Sequence, residues 1–257
     1  MTDSVQTLPI TLCMLTRNEE DRLPASLGAV RERVARMVVV DAESEDRTAE
    51  VARRLGADVF VRPWEGFVAA RRHLLSLSAT PWTLMIDADE VAGAELWDEL
   101  ETLGFPDCEA AGFQLRRRTV YRGQTLRRSF QPDWKTALFC TERGYFEDRA
   151  VHEAVLVRGP LARLKAEIRH HSYRSAAEHY RRIREYAELG ARDLAASGKR
   201  AGPANLWLRP AWRWFAELFL LGGIVDGRLG LTMAARSAYS IHLRYRYLQR
   251  LLRDAAR

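Results

Sequence analysis

Cysteine is scarce in this chain. Cys13, Cys108 and Cys140 are the only three in 257 residues, and they lie far apart with no C-x-x-C pair. That spacing excludes a disulfide framework and a cysteine zinc site, and it favours a reducing compartment. An uncharged apolar run of about 18 residues is also missing. The nearest stretch, WRWFAELFLLGGIVDGRLG, contains Glu217 and Asp226 and is interrupted by Gly222 and Gly223, so it is too short to span a bilayer alone. The opening MTDSVQTLPITLCMLTRNEED has no basic segment leading into a long apolar one, so no signal peptide is expected. There is no internal repeat, no low-complexity linker and no RRM, KH or zinc-finger pattern.

Hydrophobic residues make up 47% of the chain and charged residues 29%, enough for a buried core and too apolar for disorder. The net charge of +6 suits an anionic partner: nucleic acid, a phosphorylated ligand or an acidic membrane surface. The bland alternative is an arginine-rich surface, since acids are plentiful and interspersed.

The first half alternates between two periodicities. PITLCML, MVVVDA, DVFVRP and WTLMIDADE read as strands. Between them, NEEDRLPASLGAVRERVAR, SEDRTAEVARRLGA (with Ser44 as N-cap) and GFVAARRHLLSLSA read as helices. This β-α-β-α-β-α-β order predicts a parallel sheet with right-handed crossovers, covered on both faces. The middle reads as shorter strands and loops with Gly123, Gly144 and Gly159 at turns. From about Ser175 the chain reads as amphipathic helices.

Polar groups collect where the predicted strands end. Thr16, Arg17, Asn18 and Glu19 follow the first strand, Asp41 closes the second, and Asp87, Asp89 and Glu90 follow the fourth. Ligands of open parallel sheets bind at those carboxyl ends. In an extended segment Asp87 and Asp89 point the same way, and two carboxylates on one side suit Mg2+ or Mn2+. Without a cation they would repel, and one pKa would rise. The alternative is that these acids stabilise the next helix's amino end. If the segment stays extended, Glu90 points to the opposite side, where it would cap that helix or meet a sugar.

LTRNEEDRLPASL, VVVDAESEDRTAEVARRLGA and WTLMIDADE together resemble family 2 glycosyltransferases of the nucleotide-diphosphosugar-transferase (GT-A) fold. PDWKTALF, VHEAVLVRG, HHSYRS and DGRLG resemble, more narrowly, the lipopolysaccharide inner-core β-glucosyltransferases of the WaaE/KdtX type. The resemblance runs from about Ile10 into the C-terminal helices. It implies an α/β chain with a mostly parallel GT-A sheet, flanking helices and a C-terminal helical extension. Residues 1–174 would be catalytic, with 1–105 binding the nucleotide sugar and 106–174 facing the acceptor, and 175–257 would be the extension.

The resemblance also implies roles. Thr16, Arg17, Asn18 and Glu19 would form the first nucleotide-binding loop. Asp41 would meet the uridine of a UDP-sugar, as an acceptor-only carboxylate suits an imide N–H or ribose hydroxyls. Asp41 could instead cap the following helix. Asp87 and Asp89 would be the donor and metal pair, with Arg71 near the donor phosphates. Inverting transfer needs a carboxylate base for the acceptor hydroxyl. Glu153 of the VHE segment is preferred and Asp148 is its rival, with His152 orienting the base or touching the acceptor. His170, rather than His171, would complete the metal shell, and Tyr173 and Arg174 would clamp phosphates. Ala137, Leu138 and Phe139 stand where the family often has Arg-Leu-Phe, and Arg72 where it often has Asn. These departures bear on the acceptor, not on Asp87, Asp89 or VHE.

The expected activity is inverting, metal-dependent transfer of a hexose, glucose by resemblance, from a UDP-sugar to a lipopolysaccharide core sugar or related glycan or glycolipid. RPAWRWFAELFLLGG and SAYSIHLRYRYLQRLLR mix aromatic and aliphatic residues with arginine, as helices meeting an anionic membrane surface do. The expected location is cytoplasmic, peripheral on the inner face of the inner membrane. A sugar-phosphate nucleotidyltransferase would want a glycine-rich basic loop after the first strand, and LTRNEED has no glycine. A nucleic-acid-binding module is disfavoured by the acids at the strand ends, which repel phosphate.

Overall fold

The computed structural model describes residues 6–147 and 154–255. In chain order the elements are β1 (Leu8–Thr16), α1 (Leu23–Gly28), β2 (Val34–Asp41), α2 (Thr48–Arg54), β3 (Asp58–Val61), α3 (Phe67–Ser76), β4 (Trp82–Met85), β5 (Glu90–Ala92) and α4 (Ala94–Thr102). There follow β6 (Gly112–Tyr121), β7 (Gln124–Thr125), β8 (Trp134–Cys140), β9 (Gly144–Tyr145), β10 (Leu156–Val157) and β11 (Leu161–Tyr173). The last helices are α5 (Ala176–Ala196), α6 (Pro203–Phe215) and α7 (Gly227–Asp254). The chain divides into two compact units. One runs through Arg117 and resumes over Asp133–His170; the other comprises Arg118–Pro132 and the chain from His171 onward. A division at residue 174 follows from the helical periodicity, whereas by contacts residues 118–132 belong with the helices.

The main sheet runs β3-β2-β1-β4-β8-β6-β11-β5, with β7 on β6. β2 and β4 both pair parallel to β1, and β3 pairs parallel to β2. The chain steps outward from β1 to β3, then returns to place β4 on the other side of β1. The strand order therefore reverses between β1 and β4, which opens a crevice at their carboxyl ends. Leu12 and Met14 of β1 are buried in one core cluster and Cys13 in another. Burial on both faces explains why the strand is an unbroken apolar run. Burial also pushes the Cys13 thiol up to about 12, so it is inert. All three cysteines are free.

Two predicted helices are shorter than their patterns. The first covers only Leu23–Gly28. Pro24 lacks an N–H and fits only a helix's first turn, so nothing before Leu23 can be helical there. Val34, expected on that helix, opens β2 instead. The second begins at Thr48, not Ser44. Asp46 Oδ1 accepts from the Thr48 N–H at 2.9 Å, and the Ser44 hydroxyl turns to Asp41.

In the helical unit, Ser175 Oγ accepts from the Glu178 N–H (3.0 Å), while Glu178 accepts from the Arg174 N–H (2.6 Å), a reciprocal cap that starts α5. Tyr173 stacks on His179 with ring centroids 3.8 Å apart. The Arg236 guanidinium reaches both the Tyr121 hydroxyl and His179 Nδ1, the latter at 2.8 Å. Burial first, then the positive charge of Arg236 and Arg182, pushes the His179 pKa down to about 4. The folded imidazole is thus neutral and accepts from Arg236.

Between pH of about 6.5 and about 4, the unfolded imidazole takes up a proton that the folded one refuses. Stability from this site is complete above the upper limit and falls as pH drops toward the lower one. His179→Gln keeps an acceptor but removes the titration. In urea unfolding at pH of about 7 and about 5, the wild type should lose more stability than the variant. An equal loss would show that His179 does not titrate this way.

Candidate active site

At the ends of β1 and β2 the two loops are laced together. Thr16 and Asp41 are register partners, and Thr16 Oγ1 donates to Asp41 Oδ1 at 3.0 Å. The Ser44 N–H and hydroxyl donate to the same carboxylate at 3.0 and 2.5 Å, and Asp41 is 2% exposed. Asn18 adopts φ 54°, which lets its N–H reach Ser44 Oγ (2.8 Å) while its Oδ1 accepts from the Glu45 N–H (2.8 Å). The Glu19 N–H donates to Thr48 Oγ1 at 2.7 Å, and the Glu19 carboxylate meets Arg22 at 3.2 Å. Arg17 is exposed. Asp41 does not cap α2, which starts seven residues later.

The segment after β4 is a turn and not an extended strand. The Glu90 N–H donates to the Asp87 carbonyl (2.9 Å), and the Asp87 N–H donates to Glu90 Oε2 (2.8 Å). The turn corrects two expectations. Asp87 and Asp89 are placed by the turn and not by strand alternation, and Asp87 still repels Asp89. Glu90 does not cap α4; it is fully buried and accepts the Asp87 N–H.

The predicted repulsion among these acids is relieved by the protein's own cations. Lys135 Nζ sits 2.9 Å from Asp87 Oδ2 and 2.5 Å from Glu90 Oε2. Arg71 reaches Asp87 Oδ1 at 3.3 Å. Arg117 bridges Glu90 Oε1 (3.3 Å) and Asp133 (2.9 Å). Burial alone would raise the Asp87 pKa, but Lys135 and Arg71 outweigh it and hold the carboxyl well below its ordinary range. The expected raised carboxyl is therefore absent from the pair. Asp89 is also held low, its burial outweighed by His170, with Arg22 adding to the effect. Lys135 rises, as burial is outweighed by Asp87 and Glu90.

Asp89 Oδ2 lies 3.4 Å from His170 Nε2 and 3.8 Å from Arg22. The β5–β11 pairing makes this contact, since His170 is the register partner of Glu90. A carboxylate oxygen and an imidazole nitrogen side by side suit manganese, and less well magnesium. The third expected ligand, Asp87, instead faces Lys135 and Arg71. Among the described residues no cluster of three or more His, Cys, Asp or Glu side chains forms a metal site. The pair thus fits an ion whose remaining ligands come from substrate or water.

A cavity of about 530 Å³ opens beside this turn, lined by Arg71, Asp87, Arg117, Lys135, Tyr145 and Ala154 among others. Asp148, His152 and Glu153 lie outside the described residues. On either side of them, β9 and β10 pair antiparallel, with Tyr145 opposite Leu156. Tyr173 and Arg174 fall in the helical unit, Tyr173 within its aromatic cluster. Ala137, Leu138 and Phe139 are wholly buried in β8, and Arg72 donates to the Phe146 carbonyl at 2.7 Å.

Sequence reasoning passed over Lys135, Arg117 and Arg22. The signal for Lys135 was a lone lysine in the strand DWKTALFC. β4 and β8 pair antiparallel with Leu84 opposite Leu138. Lys135 lies three residues before Leu138 on β8, which brings it to the end of β4 where its ammonium meets Asp87.

Removing Lys135 leaves the fully buried Glu90 carboxylate with Arg117 alone, which costs about 3 kcal/mol or more. Lys135→Met should lower the urea midpoint of unfolding accordingly. A variant as stable as wild type would show that the cluster does not hold the turn.

Residues 11–156 match the family described as Glycosyl transferase family 2. An uncharacterized glycosyltransferase of Rickettsia felis is 28% identical over 255 residues, spanning 95% of this chain and 90% of its own. One from Rickettsia prowazekii is 28% identical over 254 residues, spanning 94% of this chain and 87% of its own. Among solved structures, the mannosyltransferase PcManGT from Pyrobaculum calidifontis, in complex with GDP-Man and Mn2+, is 16% identical with a TM-score of 0.49, covering 99% of this chain and 81% of that one. The strand order reversal, the acids at its carboxyl ends and the family match converge: the chain belongs to glycosyltransferase family 2 and is a glycosyltransferase with a GT-A sheet.

Proposed function

We propose that the chain transfers a hexose, glucose, with inversion from a UDP-sugar to a lipopolysaccharide core sugar or a related glycan or glycolipid. The observation that carries this reading is the crevice beside β4. There the turn that sets Asp89 beside His170 also places Asp87 on the wall of a cavity that carries Arg71, Lys135 and Arg117. A pyrophosphate needs cationic groups, which this wall carries, and further neutralisation, which an ion held by Asp89 and His170 would supply.

In this reading Asp41, Thr16 and the laced loops form the floor for the uridine, and Arg71 meets the donor phosphates. Asp89 and His170 hold Mg2+ or Mn2+, which when bound supplies charge neutralisation at the diphosphate. A carboxylate takes the proton of the acceptor hydroxyl, whose oxygen bonds to the anomeric carbon as the bond to UDP breaks. Glu153 is that base, with Asp148 the alternative. Ala154, next to Glu153, lines the same cavity as Asp87. Lys135 and Arg117 fix the Asp87–Glu90 turn, and so the orientation of Asp89.

A nucleotide-sugar turnover screen with and without manganese tests the donor. Wild type should turn over UDP-glucose with the metal, and Asp89→Ala should lose about 100-fold or more in kcat/KM, the scale of a lost charge-stabilising group. Turnover of no nucleotide sugar under either condition would end this reading. Glu153→Gln should abolish transfer while sparing UDP binding. Full activity in that variant, with loss in Asp148→Asn, would move the base to Asp148.

A further inference from the structure

We propose that α6 and the turns leading into α7 dock on an anionic lipid bilayer, lying in its interface without crossing it. The inference concerns the helical unit alone and goes beyond the transfer reaction.

The usual amphipathic helix turns its apolar face inward. α6 does so with Leu206 and Pro210, yet its opposite face is apolar as well. Trp207, Leu208 and Trp212 are 68%, 69% and 63% exposed. The stripe continues through the π-helical turn Ala216–Leu220 and the 3-10 turn Gly223–Asp226. Leu220, Ile224 and Val225 there are 62%, 55% and 59% exposed. A continuous apolar face of this kind marks a docking surface.

Charge selects the occupant. From Lys199 to Val225 the cations are Lys199, Arg200, Arg209 and Arg213, and the one acid is Glu217. Glu217 is 1% exposed and bonded to Arg213 at 3.0 Å. Asp226, at the end of the stripe, turns inward to accept from the N–H groups of Arg127, Arg128 and Ser129 at 2.6, 3.1 and 2.7 Å. That clamp brings two further arginines to the same corner. The face therefore shows tryptophan, aliphatic groups and cations, with no acid turned outward. Anionic headgroups complement it, and tryptophan and arginine favour the boundary between headgroups and acyl chains. A second copy of the chain would bring the same cations against themselves.

Among the described residues no single helix is long and apolar enough to cross a membrane, and the two helical segments meet at 76°. The bend is rigidly built. A Cβ on Gly230 would come within 1.8 Å of the Gly223 carbonyl oxygen, so α7 packs hard against the turn. The apolar stripe is thus held ready in shape, and binding orders little that is not already ordered.

The test is flotation of the full chain with phosphatidylcholine vesicles, with and without phosphatidylglycerol, in the absence of donor and acceptor. The protein should float with the phosphatidylglycerol vesicles, and brominated acyl chains in them should quench its tryptophan fluorescence. Trp207→Ser, Leu208→Ser and Trp212→Ser together should cut the bound fraction about tenfold or more, as losing this much apolar contact predicts, with the far-UV spectrum unchanged. Wild type that stays unbound, or a variant that floats equally well, would overturn the inference. So would a wild-type dimer that the triple variant dissolves into monomers, which makes the face a contact between copies. Should the variant not fold, absence of quenching in wild type decides against it. None of these outcomes touches the transferase reading, which needs no lipid for its own test.

Discussion

One ammonium group settles how three acids share the end of β4. Lys135 Nζ lies between Asp87 and Glu90, and its reach to both depends on β8 lying antiparallel beside β4. Glu90 has no exposure, so its charge is tolerable only with Lys135 and Arg117 against it. With Glu90 neutralised, its Oε2 can also accept the Asp87 N–H and close the turn. The closed turn turns Asp87 toward Arg71 and leaves Asp89 beside His170. The electrostatics of the core thus set the geometry of the crevice, and the carboxylate that meets His170 is positioned by a lysine it does not touch.

The same arrangement separates two kinds of acid that look alike in the run DADE. Glu90 is consumed by structure. Asp89 keeps a 15% exposed side chain and a histidine partner. Asp87 combines both traits, paired with Lys135 and Arg71 yet 34% exposed on the cavity wall. An acid whose partners are all protein cations in a dry site is part of the scaffold; one whose partner is a histidine at an open edge retains capacity for a ligand.

Much of the fold was legible in the sequence because β1, β2 and β4 are covered on both faces, and a doubly covered strand is an apolar run that needs no partner to be recognised. The acids at their ends were legible for the same reason: the strand's end is visible where the run stops. What stayed hidden depended on residues distant along the chain. Lys135 meets Asp87 across 48 positions, and nothing local to DWKTALF says which strand it will lie beside. The tight turn at Asp87–Glu90 was read as extended because the local pattern is identical in both conformations until Lys135 is placed. Residues 118–132 read as loop and short strand, and what ties them to the helices is distant in sequence: Asp226 accepts from Arg127, Arg128 and Ser129, Arg236 reaches the Tyr121 hydroxyl, and Leu126 packs with Met233.

Helical periodicity in the last third identified which residues are apolar without identifying which way they face. Trp207 and Trp212 satisfy the same spacing rule as buried residues do, yet both are more than half exposed. The reason lies in α6 being apolar on more than one side: α7 packs on one face, while Trp207, Leu208 and Trp212 on the other stay exposed. An excess of apolar surface over available partners is a property of the assembled unit, so it appears only when the helices are packed. Charge then discriminates among occupants, because the stripe's two acids are both engaged, Glu217 buried against Arg213 and Asp226 accepting from the N–H groups of Arg127, Arg128 and Ser129. A face that has withdrawn its acids and kept its cations is matched to a surface that is itself anionic.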